Sequence, residues 1–266
     1  MPLSVLITND DGADAEGIRT LAEELDRDAR FRVMVVAPSE ERSASGHAIT
    51  MHRPLRAAEE HLPSGAPLWR IDGTPADCVK LALEVLMPQP PDLVISGINH
   101  GLNLGRDVFY SGTVSAAIEG MFSGIPSLAV SLEAPDPVGF RWTAAFLHWW
   151  VLSPQFIPPP REVLYNINVP DVRQGEPEAM VTVPLGRREY DNEFRRQVDA
   201  RGQVYFWLEG RPRGEGDGRQ APPDGTIATD VTGIRAGLVT LTPLRLDVTA
   251  HDLIVPHARL YIPPQF

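Results

Sequence analysis

Leu3-Ser4-Val5-Leu6-Ile7-Thr8-Asn9-Asp10-Asp11-Gly12 is the stretch on which the fold turns. Its first six residues form a short apolar, β-compatible run, which ends abruptly in an amide, two acids and a glycine. Gly17 to Leu25 then sets Ile18, Leu21 and Leu25 at helical spacing, and Phe31 to Ala37 reads as a second strand stopped by Pro38. After a polar loop, Ile71-Asp72-Gly73-Thr74-Pro75 leads into a helix from Ala76 to Leu86, striped by Val79, Leu83 and Leu86. Asp92 to Ser96 reads as a buried strand, Gly112 to Met121 as a helix of small residues, and Pro126 to Leu132 as a further strand. Strands alternating with helices predict an α/β protein: a three-layer, mostly parallel, Rossmann-like sheet with helices on both faces.

The second half is less regular. Phe140 to Val151 reads as helix, while Val163 to Val169 and Leu238 to Val248 read as strands. From Arg187 to Asp224 the chain is polar, yet Gln203-Val204-Tyr205-Phe206-Trp207-Leu208 alternates like a strand, so a projecting β-hairpin arm is expected. The expected organisation is a single domain over 1–266. Its core covers approximately 1–186, the arm 187–224, and C-terminal strands and a tail 225–266.

Composition narrows the class of protein. Hydrophobic residues make up 43% and charged residues 22% of the 266, as in an ordinary globular chain able to bury a large core. The lone cysteine, Cys78, allows no internal disulfide, and neither a signal segment nor a membrane span is legible, so a cytoplasmic protein is expected. With 24 basic against 35 acidic residues the formal charge is −11, a field that repels long nucleic acid but permits a small phosphorylated ligand held by local donors.

In open α/β sheets ligands bind beyond the carboxyl ends of the strands, so the polar residues there carry the chemistry. Asp10 and Asp11 are adjacent acids at such an end. Their repulsion calls for a proton or a hard cation, unless the pair is merely a solvated turn. Ser96 to Gly105 is rich in glycine and offers neutral oxygens from Asn99 and Asn103, or is simply a flexible loop. Tyr110-Ser111-Gly112-Thr113-Val114 opens a helix, whose free N–H groups suit an anion; Ser111 or Thr113 acting only as a cap would draw on the same donors. The loop after the second strand, Glu40 to His47, could close over this centre, and His47 is either an accessory residue or a structural one.

Together these segments resemble the stationary-phase survival protein SurE family of nucleotidases. The resemblance rests on Asn9-Asp10-Asp11-Gly12, Val36-Ala37-Pro38 with Arg42-Ser43, and Gly73-Thr74-Pro75-Ala76-Asp77-Cys78-Val79. It continues in Ser96-Gly97-Ile98-Asn99, Tyr110 to Val114, Asn166 to Pro170, Thr242-Pro243-Leu244 and Asp247 to His251. It implies a metal-dependent phosphatase acting on nucleoside 5′- and 3′-monophosphates, with one divalent ion, Mg²⁺ or Mn²⁺, per subunit. By position, Asp10, Asp11, Ser43 and Asn99 would hold the ion, and Ser111, Gly112 and Thr113 would grip phosphate, helped by Asn9 and Asn103. Asp10, Asp11 and Asn9 are the expected catalytic residues. A homodimer or homotetramer with exchanged C-terminal segments is implied too, with Asp247 and His251 as accessory residues.

A receiver-like, magnesium-binding signalling domain is the main rival, because it also carries paired acids after its first strand. It needs a further Asp at the end of the third strand, where this chain has Ser96-Gly97-Ile98-Asn99. Gly-x-Ser-x-Gly of a serine hydrolase and Gly-x-Gly-x-x-Gly of a dinucleotide site are both missing from the expected places.

Overall fold

The structure is a computed structural model that describes residues 1–188, 190–191, 193–209, 211–212 and 227–253. The rest of the expected arm and the tail beyond 253 lie outside the described residues.

A nine-stranded sheet forms the spine. The parallel core comprises β1 (Leu3–Thr8), β2 (Phe31–Pro38), β4 (Pro67–Ile71), β5 (Leu93–His100), β6 (Ser127–Leu132) and β7 (Leu164–Val169). The edges are β3 (Ala57–His61), antiparallel to β4, and on the far side β13 (Val239–Leu244), antiparallel to β7, followed by β8 (Met180–Thr182). The spatial order is β3-β4-β2-β1-β5-β6-β7-β13-β8. The chain therefore runs outward from β1 in one direction, then returns to lay β5 on its other flank. That reversal puts the switch point at the carboxyl ends of β1 and β5.

The central strands β1, β5, β6 and β7 are buried on both faces, which is why they read as largely apolar runs. Val5 and Ile7 join Leu21 and Leu25 of α1 (Glu16–Asp26) and Phe140 and Leu147 of α4 (Pro137–Leu152) in one core. Leu6, pointing the other way, packs with Cys78 and Val79 of α2 (Pro75–Leu81) and Ala116 of α3 (Gly112–Phe122). The expected three-layer α/β architecture is present.

Two expectations need correction. The stretch expected to be a polar loop before Ile71 contains the β3–β4 hairpin. Every residue of β3 is exposed, so Ala57-Ala58-Glu59-Glu60-His61 has no apolar alternation to betray a strand. The helix expected over Ala76 to Leu86 ends at Leu81 and continues as a single π turn, Ala82–Leu86. In addition, β5 continues past Ser96 to His100, with a register irregularity between Ser96 and Asn99.

The arm contributes a two-stranded ribbon, β10 (Phe194–Val198) against β11 (Val204–Leu208), beside the two-residue strands β9 (Tyr190–Asp191) and β12 (Arg211–Pro212). A short helix, α5 (Asp230–Arg235), then leads back to β13. Among the described residues no helix is long and apolar enough to cross a membrane.

Candidate active site

Asp10 and Asp11 follow β1 after the single residue Asn9, and the start of α3 is brought against Asp10. Asp10 is buried, at 4% exposure, and its Oδ1 accepts the Thr113 hydroxyl at 2.5 Å. A Cβ placed on Gly112 would fall 2.7 Å from the Asp10 Cβ, so only glycine lets the first turn of the helix approach this closely. Burial pushes the Asp10 carboxyl up to about 6, with Asp11 adding to the rise, while the Thr113 hydroxyl and amide pull the other way. Asp11 is also raised, chiefly by burial, against the pull of His100, whose N–H donates to Asp11 Oδ2 at 3.1 Å.

The surrounding segments close in from both flanks. The Arg42 N–H donates to the Asp10 carbonyl at 2.7 Å, which fixes the loop after β2 over the end of β1. Ser43 is next in that loop, and its hydroxyl donates to Glu41 at 2.7 Å. On the other flank the Asn99 amide donates to the Gly101 carbonyl at 2.8 Å, so its oxygen is the atom left for a ligand. The Asn9 amide donates to the Gly12 carbonyl at 2.9 Å, while its Oδ1 is buried without a partner.

These groups suit a hard divalent cation. Two carboxylates carry charge that burial and proximity disfavour, and a cation would relieve it. Among the described residues no group of three or more His, Cys, Asp or Glu could hold a metal, so any ion here would draw on neutral oxygens beside the two acids.

Other sequence-predicted residues have different surroundings. Ser111 caps α3, its Oγ accepting the Val114 N–H at 3.1 Å. Asn103 is buried, and its amide donates to Ser131 at 2.8 Å. Its backbone is held by Asn168 Oδ1 and by the amides of Asn166 and Asn168, so β6 and β7 buttress the loop after β5. His47 lies further along α3, where its Nε2 meets Glu119 Oε1 at 2.7 Å and its ring stacks on Phe122. Asp247 and His251 pair at 2.6 Å on the surface. Because β13 runs antiparallel to the core, it ends at the opposite end of the strands from Asp10, and Asp247 lines a cleft with Met121 and Phe122 at the far end of α3.

Two further buried acids, Glu119 and Asp230, lie outside the sequence-predicted set. Glu119 is a buried acid answered by His47 and by Lys80 at 3.2 Å, which together hold its carboxyl below the usual range against the effect of burial. An isolated acid in a helix of small and apolar residues was its available signal.

The profile of the family described as "Survival protein SurE" matches residues 5–192. The chain belongs to the SurE family. It is 47% identical over 253 residues to the 5′-nucleotidase SurE of Pelotomaculum thermopropionicum, covering 95% of this chain and 93% of that protein. The 5′-nucleotidase SurE of Gloeobacter violaceus is 46% identical over 249 residues, covering 93% and 91%. The crystal structure of the SurE protein from Aquifex aeolicus is similar with a TM-score of 0.76 and 34% identity, over 94% of this chain and 96% of that one.

Proposed function

We propose that this chain is a metal-dependent phosphomonoesterase that hydrolyses nucleoside 5′- and 3′-monophosphates to nucleoside and phosphate. The observation that carries the proposal is the Asp10–Asp11 pair past the end of β1, Asp10 buried and bonded to Thr113 in the first turn of α3, Asp11 half-buried beside it. Membership of the SurE family supports it.

Asp10, Asp11, Ser43 and Asn99 would hold one divalent ion, Mg²⁺ or Mn²⁺. When bound, such an ion supplies positive charge to a phosphoryl group and lowers the pKa of a water. The chain's own part is orientation and charge. The start of α3 presents amide donors and the positive end of a helix dipole to a phosphate. Thr113 spends its hydroxyl on Asp10, which keeps that carboxylate turned toward the shared centre. Asn9 contributes its unpartnered oxygen, and Asn103 supports the loop from behind.

The same reading includes a cytoplasmic enzyme and a homodimer or homotetramer in which C-terminal segments cross between subunits. Asp247 and His251 would then act near a neighbour's site rather than their own. The deciding assay is phosphate release from a nucleoside monophosphate, before and after thorough chelation and with Mg²⁺ or Mn²⁺ restored. Metal-restored turnover is expected. A receiver-like domain would release no phosphate catalytically, and activity that survives chelation would overturn the metal role.

A further inference from the structure

One buried carboxylate joins two glycines that are far apart in the chain. Asp230, with no exposed surface, accepts the Gly105 N–H on Oδ2 at 2.9 Å and the Gly186 N–H on Oδ1 at 2.7 Å. Its Oδ1 also accepts the Val231 N–H at 2.8 Å. Burying an unpaired carboxylate is costly, and here both oxygens are answered by backbone donors.

The positions of those donors matter. Gly105 opens the 3-10 turn to Phe109, and the Ser111 N–H donates back to the Asp107 carbonyl at 3.1 Å, so the turn runs straight into α3. Gly186 and Asp230 bracket the arm. The contact is tight: Gly105 has φ +53°, and a Cβ there would lie 2.6 Å from the Gly186 carbonyl oxygen. A second tie spans the same junction, because Arg188 Nη1 meets Asp107 Oδ2 at 2.7 Å.

We propose that Asp230 is a positioning residue: it clamps the Gly105–Phe109 turn to the root of the arm, and so fixes where the first turn of α3 stands relative to Asp10. The Arg188–Asp107 pair reinforces the clamp. This rests on the reading above only in taking that first turn as the phosphate's seat. No atom of Asp230 touches the reacting centre, so its effect passes through the turn.

The test compares wild type with Asp230→Asn, which keeps the size but turns an amide N–H₂ toward backbone donors, and with the milder Arg188→Met. For each, kcat and KM for a nucleoside monophosphate are measured, with the inhibition constant of inorganic phosphate, thermal unfolding, and hydrogen exchange of peptides covering 103–112 and 3–11. Asp230→Asn should raise KM and the phosphate inhibition constant about ten-fold, lower kcat, and speed exchange over 103–112 but not over 3–11. Arg188→Met should shift the same quantities in the same direction by less. A lower unfolding temperature with wild-type kinetics in the folded protein would mean packing alone and would overturn the proposal. Should Asp230→Asn fail to fold, Arg188→Met decides: wild-type kinetics and exchange at 103–112 would overturn it. If wild type itself releases no phosphate, the nucleotidase reading fails instead, and faster exchange over 103–112 still tests the clamp.

Discussion

The Thr113 hydroxyl donates to Asp10 Oδ1 at 2.5 Å, joining the first turn of α3 to the end of β1 across 103 residues of chain. The bond is buried and its acceptor is ionisable, which makes it one of the stronger kinds of hydrogen bond. Thr113→Val keeps the shape and removes the donor, leaving Asp10 to rise further above its ordinary range. Turnover should fall about ten-fold or more, in line with roughly 1.5–3 kcal/mol for a bond to a charged group. Thr113→Ser should retain most of the activity. Steady-state kinetics of the two variants check this, with circular dichroism confirming the fold.

Asp10 and Asp11 predict opposite effects on activity and on metal-free stability. A carboxyl raised from 3.8 to about 6 binds a proton more tightly in the folded chain than in the unfolded one. Metal-free stability should therefore fall as pH rises from about 4 to above 6, by up to roughly 3 kcal/mol. Asp10→Asn removes that penalty, so the metal-free variant should unfold at a higher temperature than wild type at pH 7 and at nearly the same one near pH 4. Its turnover should drop by at least about 100-fold, because even outer partners of a metal ligand are worth 10–100-fold. Asp11→Asn should behave in the same sense. Thermal unfolding across pH, beside activity against metal concentration, checks both halves.

Much of this arrangement is legible in the sequence because β1 is covered on both faces. Val5, Leu6 and Ile7 are all fully buried, so the strand reads as an apolar run and its two terminal acids stand out. β3 hides because an exposed edge strand needs no apolar pattern. Asn103 looks like a ligand group in the sequence, but β6 and β7 supply Ser131, Asn166 and Asn168 to it from positions that only the folded sheet brings near. Asp230 is harder still. Its partners Gly105 and Gly186 lie 125 and 44 residues away, and glycine N–H donors leave no side-chain signature.

His148 offers a pH test away from the site. Its ring bridges Glu24 at 3.0 Å and Asp28 at 2.8 Å, tying α4 to the end of α1. Burial works against protonation, but bonds to the two carboxylates outweigh it, and the imidazole is raised above its ordinary value. A raised histidine stabilises the fold fully below its unfolded value, about 6.5, and the contribution is lost as pH rises through the folded one. His148→Gln should lower the unfolding temperature by roughly 1–2 °C near pH 5.5, a discounted figure for a partly exposed pair. The difference from wild type should shrink steadily toward pH 8.5. Unfolding scans of both proteins over that range check the sign.

The arm predicts assembly through one particular face. In the β10–β11 register Phe194 faces Leu208, Arg196 faces Phe206 and Val198 faces Val204. Residues opposite one another in an antiparallel pair share a side, so Phe194, Val198, Val204, Phe206 and Leu208 make one apolar face interrupted only by Arg196. All five are exposed in the single chain, Phe206 and Leu208 at 59% each. A lone two-stranded ribbon is marginal in water, and an open apolar face of this kind needs a partner. The other side, with Arg195, Gln197, Tyr205 and Trp207, is mixed, so it is the weaker candidate for contact. Phe206→Glu with Leu208→Glu places two charges on the apolar face without touching the sheet. Light scattering after size exclusion should show wild type as at least a dimer and the double variant as a smaller species. The unfolding temperature of the core should change little, since nothing in the nine-stranded sheet loses a contact. Tyr205→Glu on the mixed side should leave the assembly intact. A wild-type monomer, or a double variant that assembles normally, would remove the arm from any role in joining subunits.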